Sequence, residues 1–231
     1  MAEKRTLFRF FVIKSLFLHN ILTETIIFAP KMENWKIRIR CLCSRFRRVR
    51  HRNGYGVHSP FAYNFIKSVV YERGQYYAYP ALAAARRKAA GEERELTPRC
   101  LRLLFRVANF VHPASAAVVS PHGALSAAYI QAGSVHAAVT VADAPESLKE
   151  GDYQFYYAAP RVDFSVVWER AAASPATQAM VCSGIRSSRG AREAWAAICA
   201  DERAVVTFDL YELGIVFLDK NLNKQNYIVS F

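Results

Sequence analysis

The chain has 231 residues, 52% of them apolar, which suffices for one α/β domain with a substantial core plus an appendage and leaves little room for a second full domain. Its formal net charge of +12 is concentrated near the N-terminus, where Lys36, Arg38, Arg40, Arg45, Arg47, Arg48, Arg50 and Arg52 follow Trp35 with no acid among them. Five cysteines without any C-x-x-C spacing argue against a disulfide framework and a structural zinc site, so reduced thiols in the cytoplasm are expected.

Residues 7–29 are rich in Phe, Ile and Leu, but Arg9, Lys14, His19 and Glu24 interrupt them. No uncharged stretch reaches the roughly 18–20 residues of a spanning helix, so no transmembrane helix is expected. Two readings stay open for this segment: an amphipathic surface helix, or residues 1–31 lying upstream of a natural start at Met32. The arginine arm that follows attracts polyanions by counterion release. Nucleic acid or an anionic membrane surface is the expected partner, with Arg47, Arg48 and Arg50 as contacts; the competing reading is a solvated arm. Cys41 and Cys43 stand among those arginines, which lower a thiol pKa, but neither has a resolving partner.

After a turn at Asn53-Gly54-Tyr55-Gly56, Ser59-Pro60 predicts a capped helix start, and Phe61, Phe65, Ile66, Val69 and Val70 follow at helical spacing. A tyrosine-rich link, Tyr76 to Pro80, leads to a charged, exposed helix with a turn at Gly91. Thr97-Pro98 repeats the cap-plus-proline start; Leu101, Leu104, Phe105 and Ala108 form the apolar stripe of a helix ending near His112-Pro113, and Arg99, Arg102 and Arg106 are read as its solvated face. Short apolar runs then alternate with helical stretches. Ala116–Val119, Ala137–Val141, Phe164–Val167 and Ala179–Cys182 predict buried parallel strands. Val205–Leu210 and Gly214–Leu218 are too close in sequence to pair in any way but antiparallel, and Asn226–Phe231 is a further strand-like run. Cys100, Cys182 and Cys199 fall in apolar surroundings, as small core residues do.

Two stretches carry a family resemblance. One is Gly56-Val57-His58-Ser59-Pro60-Phe61, between a basic segment and a helix. The other runs from Ile185 through Ser187-Ser188, Ala194-Trp195 and Ile198 to Val205-Val206-Thr207-Phe208-Asp209-Leu210, Leu213-Gly214-Ile215-Val216-Phe217 and Lys224-Gln225. Together they resemble small bacterial class I S-adenosylmethionine-dependent methyltransferases of the O-methyltransferase type. The resemblance implies a Rossmann-like α/β fold, mostly parallel with a C-terminal antiparallel hairpin. The segment from Ser147 to Val162 is too short for the family's usual elements, so a reduced sheet of about six strands is expected. The implied organisation is a basic extension over 1–52, a helical cap over 53–112 and the methyltransferase-type domain over 113–231.

The cofactor implied is S-adenosylmethionine, and its site departs from the family pattern. The glycine-rich loop after the first strand, which lets backbone approach the cofactor, aligns with Ser120, Pro121, His122, Gly123 and Ala124, so Ser120 and Gly123 are the candidate contacts. The acid that accepts from the ribose aligns with Ala142, leaving Asp143 as the candidate one place on. Metal-using relatives carry acids at the ends of two further strands; here the alignment puts Trp168, with Glu169 beside it, and Ser183-Gly184 at those places, and Asp163 at the start of its strand. No metal is expected, and no catalytic residue is assigned. His58 is read either as a substrate-orienting residue or as part of the helix start. The functional expectation is a family member with weak or lost activity; the alternative is a non-catalytic binding or scaffold protein acting through its basic arm.

Overall fold

The computed structural model describes residues 57–89 and 96–231. Arg47, Arg48 and Arg50, the segment before Met32 and the turn at Gly91 lie outside the described residues.

Ser59 caps the first helix, α1 (Pro60–Phe65): its hydroxyl accepts from the Ala62 amide at 3.4 Å, and Pro60 takes a position where no amide is needed. The helix widens into a π-helical turn (Ile66–Val70) whose last carbonyls are met by Arg106, with Nε donating to Val69 at 2.6 Å and Nη2 to Val70 at 3.3 Å. Arg106 is therefore buried and does not share a solvated face with Arg99 and Arg102, because carbonyls freed at a helix end need a donor. The other two arginines also lie on aromatic rings: the Arg99 guanidinium is 4.2 Å from the Phe231 centroid and that of Arg102 is 5.1 Å from the Tyr79 centroid. Helix α2 (Tyr79–Lys88) and helix α3 (Pro98–Val111) complete the cap. Thr97 caps α3 by accepting from the Cys100 amide, and the helix stops at His112, whose φ of 50° is left-handed.

The sheet then builds in chain order: β1 (Ser115–Val119), α4 (Ala124–Gly133), β2 (Ala138–Ala142), β3 (Phe155–Ala158), α5 (Phe164–Ala173), β4 (Ala179–Ser183), α6 (Arg189–Ala200), β5 (Val206–Asp209), β6 (Leu213–Phe217) and β7 (Gln225–Ile228). Spatial order is β2-β1-β3-β4-β6-β5-β7, with β6 antiparallel to both neighbours and every other pairing parallel. This is a Rossmann-like α/β sheet, mostly parallel, with an antiparallel hairpin near the C-terminus. Helices α1, α3 and α4 cover one face and α5 and α6 the other.

Two further expectations change. Phe164–Val167 is helix, not strand: Phe164, Val167, Trp168 and Ala171 are buried at helical spacing, and the Asp163 carboxylate caps the start by accepting from the Ser165 amide at 3.0 Å. The strand at that point in the fold is β3, whose Phe155-Tyr156-Tyr157 run carries the aromatic β preference that identifies it. The sheet also has seven strands where about six were expected. The 147–162 segment supplies only β3 after a short 3₁₀ turn (Pro145–Ser147), so β2 is left at one edge, while β7 is added at the other beside β5.

Phe65 locks the cap to the sheet. Its ring centroid lies 4.7 Å from Phe208, 5.0 Å from Phe217 and 5.3 Å from Phe110. Phe65→Ala is expected to cost about 3–5 kcal/mol, read as a lower urea midpoint at unchanged slope; a loss within measurement error would show that the cap docks independently of this ring.

Candidate functional site

In an open α/β sheet, ligands bind outside the carboxyl ends of the strands where the strand order reverses, which here is the junction of β1 with β3. The β1 end is tightly tied. Ser120 is buried, its amide donates to the Ala142 carbonyl at 2.8 Å, and its hydroxyl accepts from the His122 amide at 3.1 Å. On the other side the Ala159 amide donates to the Val119 carbonyl at 2.9 Å, so the ladder continues past both strand ends. Pro121 is exposed and His122 half-buried at the mouth of this loop.

Gly123 leads into α4. A Cβ added there would fall 2.8 Å from Val141 Cγ1 and 3.0 Å from Val118 Cγ1, so its missing side chain lets the start of α4 settle onto β1 and β2. Asp143 is exposed in the turn after β2. These three candidates, Ser120, Gly123 and Asp143, thus belong to one neighbourhood at the ends of β1 and β2. His58 is exposed beside the Ser59 cap, at the start of α1.

The next two strand ends carry no carboxylate. After β3 come Ala159 and Pro160, and β4 ends at Ser183, whose hydroxyl donates to Tyr157 Oη at 3.0 Å. Trp168, placed at a strand end by the sequence, lies instead on α5, buried, with its indole N–H donating to Asp201 at 3.0 Å. Glu169 projects from the same helix to the Arg203 guanidinium at 2.8 Å. Arg203 donates to Asp201 as well, and that hydrogen bonding holds the Asp201 carboxyl well below the usual range. The aspartate read as starting a strand, Asp163, caps α5 on the ligand side of the sheet. The helix period of α5 was the signal that would have placed both residues correctly.

Between the starts of α5 and α6 lies a cavity of about 360 Å³ lined by Arg161 to Ser165, by Ser183 and Gly184 at the end of β4, and by Ser187, Ser188 and the first turns of α6. Gly184 has a φ of +69° and donates its amide to the Glu212 carbonyl at 2.8 Å, which joins β4 to the β5–β6 turn. That turn holds two further polar contacts. Arg186 pairs with Asp209, and Cys100 Sγ lies 3.0 Å from Glu212 Oε2. Burial, then the neighbouring Glu212 carboxylate, pushes the Cys100 thiol up to about 12, so it stays protonated and donates to that carboxylate. Among the described residues no group of three or more His, Cys, Asp or Glu is arranged to hold a metal ion, and no helix is long and apolar enough to cross a membrane.

No family model and no curated protein matches the sequence. Solved structures do. The chain is similar to the S-adenosylhomocysteine-bound methyltransferase PaMTH1 of Podospora anserina at 8% identity, over 84% of this chain and 100% of that one, with a TM-score of 0.49. It is also similar to cofactor-bound Rv0187 from MTB (13% identity; 69% and 96% covered; TM-score 0.44) and to an O-methyltransferase from Bacillus cereus in complex with S-adenosylhomocysteine (10%; 65% and 95%; 0.38). By its own sheet order the described domain is a Rossmann-like α/β fold.

Because β-branched valines on both strands fill the space beside Gly123, Gly123→Ala is expected to destabilise the protein by about 1–3 kcal/mol. A urea unfolding curve checks this; an unchanged midpoint would mean the loop has room to open.

Proposed function

We propose that this chain is a methyltransferase-fold protein whose S-adenosylmethionine and metal sites have degraded, leaving methyl transfer weak or absent. The observation that carries the reading is the packing at Gly123. A glycine in a cofactor loop serves by leaving its face open to ligand, whereas here Val118 and Val141 take up that face. Ser120 adds to this, since its amide and hydroxyl are both engaged within the protein. The residues present do not fit the cofactor in the manner the resemblance implies. Asp143, the remaining candidate ribose acceptor, stands in an exposed turn after β2. Ala159 and Ser183, at the ends of β3 and β4, offer no carboxylate to a divalent ion.

Titration calorimetry of the full chain with S-adenosylmethionine and S-adenosylhomocysteine is expected to give no binding heat up to about millimolar ligand. Micromolar binding of either would overturn the reading and restore an enzyme.

A second reading rests on the eight Lys and Arg residues over 36–52 with no acid among them. A cytoplasmic protein with such an arm is suited to bind nucleic acid or an acidic membrane surface without catalysis. Replacing Arg47, Arg48, Arg50 and Arg52 with alanine is expected to lower the salt dependence of DNA or RNA retention by about 0.7–0.9 in log–log slope for each lost phosphate contact. Unaltered retention, together with unaltered binding to phosphatidylserine vesicles, removes this role.

A further inference from the structure

In a chain with 22% charged residues, no Lys, Arg, Asp or Glu occurs between Arg106 and Asp143. Part of that run is core, but α4 and β2 reach the outside of the fold. The residues of α4 that are not buried are Ala124, Ala127, Ala128, Gln131 and Ala132, where a surface helix ordinarily turns charged side chains outward. Val135, in the turn after α4, and Val141 of β2 are 63% and 45% exposed. An uncharged surface with exposed valines has the composition of the centre of an interface, from which charged residues are depleted.

Strand β2 is also an open edge of the sheet. Along a parallel ladder, alternate residues bond to the same neighbour. The Ala138 amide donates to the Ala114 carbonyl at 2.8 Å and the Ala142 carbonyl accepts from Ser120, so Ala138, Thr140 and Ala142 face β1. Val139 and Val141 therefore aim their N–H and C=O groups outward, where no strand among the described residues meets them. Edge strands are ordinarily guarded by charge, proline or a covering segment. The strand at the other edge, β7, follows Lys220 and Lys224, whereas β2 contains neither a charged residue nor a proline.

We propose that β2 and α4 form the interface between two copies of this chain, with β2 pairing antiparallel to β2 of the second copy about a twofold axis at Thr140. The free backbone groups select that register. Val139 lies opposite Val141 of the second copy in a hydrogen-bonded position, each exchanging N–H and C=O, while Thr140 meets Thr140 in the closer, non-hydrogen-bonded position. The edge is thus complementary to itself. Cross-strand pairs of β-branched residues and of threonines add to such a ladder. The helices fit the same arrangement, because α4 packs over β1 and β2 on the face where Val141 meets Gly123, and the twofold axis places the second α4 on that face too. With strands about 4.8 Å apart, the two helix axes lie about 10 Å apart, a distance at which helices with small outer residues pack. A strand pair this short falls well below the roughly 800 Å² per partner of a stable interface, so both helices are needed. Charge favours the same surface. Two copies that each carry +12 meet at least electrostatic cost where neither presents a charge. The interface is independent of the arginine arm and of the methyltransferase reading.

The test is sedimentation velocity of the full, nuclease-treated chain over a range of concentration and salt. A dimer is expected, and its fraction should rise with salt as repulsion between the two positive copies is screened. Thr140→Lys sets two ammonium groups opposite each other at the axis and should weaken the dimer at least about tenfold, with circular dichroism checking that the monomer stays folded. A second pair of variants reads the register without adding charge. On oxidation, Thr140→Cys should link residue 140 of one copy to residue 140 of the other, since a separation of about 4.5 Å between Cα atoms suits a disulfide. Val139→Cys, which faces Val141, should not link to itself; peptide mapping distinguishes the two. A monomer at every concentration, a dimer undiminished by Thr140→Lys, or self-linking at residue 139 instead of 140 would each overturn the proposal. So would association that falls as salt rises, which marks a bound polyanion as the bridge. A monomer in which hydrogen exchange finds the Val139 and Val141 amides protected would overturn it as well, since another segment of the same chain would then hold the edge.

Discussion

The rest of the fold depends on the contact between α1 and the β5–β6 hairpin. Phe61 and Phe65 sit against Phe217 at 5.1 and 5.0 Å between centroids, and Phe65 also meets Phe208 and Phe110. Aromatic pairs at these separations add to the area they bury, and here they bring together opposite ends of the described chain. The neighbouring polar contacts follow the same line: Tyr71 Oη donates to the Ser230 carbonyl, Arg99 covers Phe231, and the Cys100 thiol meets Glu212. Residues Val57 to Phe61 and the C-terminal strands are thus two halves of one packing arrangement. Within that element Val57 packs on the core and Ser59 caps a helix, which gives it a structural role.

With the cap and hairpin fixed, the carboxyl edge of the sheet is determined by how its backbone groups are satisfied. Ser120 and Ala159 extend the β1 ladders on either side, and Gly184 donates across to the β5–β6 turn. Each of these hydrogen bonds serves the scaffold. The cavity that remains lies farther along, at the starts of α5 and α6, where neither strand end brings an acid. Among the described residues, buried polar atoms without a hydrogen-bond partner occur in the helical layer and the sheet alike: Tyr79 Oη and Arg86 Nε on α2, Tyr156 Oη on β3 and Arg186 Nε just beyond β4.

Much of the architecture was legible because local chemistry set it. Ser59-Pro60 and Thr97-Pro98 are cap signals read by neighbours three residues on, and the closeness of Val205–Leu210 to Gly214–Leu218 leaves only a hairpin. The misreading of Phe164–Val167 has an equally local cause. Four apolar residues suit a strand or a helix alike, and the distinction needed Trp168 and Ala171 as the next inward positions. Arg106 could not be read at all, because its partners Val69 and Val70 are remote in sequence. At the candidate site, the loop residues Ser120 and Gly123 were legible by position, but what faces them was not: Val141 and Ala142 reach them from β2.

By itself the sequence determined the charged N-terminus, the two Ser/Thr-Pro helix starts, the hairpin and the mostly parallel sheet, since each depends on caps, periodicity and connection length within a few residues. Only the tertiary structure decided which strand lies at each edge, that β7 joins the sheet, and which donors find partners. Those outcomes depend on side chains and carbonyls far apart in the chain competing for the same space and the same hydrogen bonds. That competition turned Gly123 toward packing and Arg106 toward a helix end.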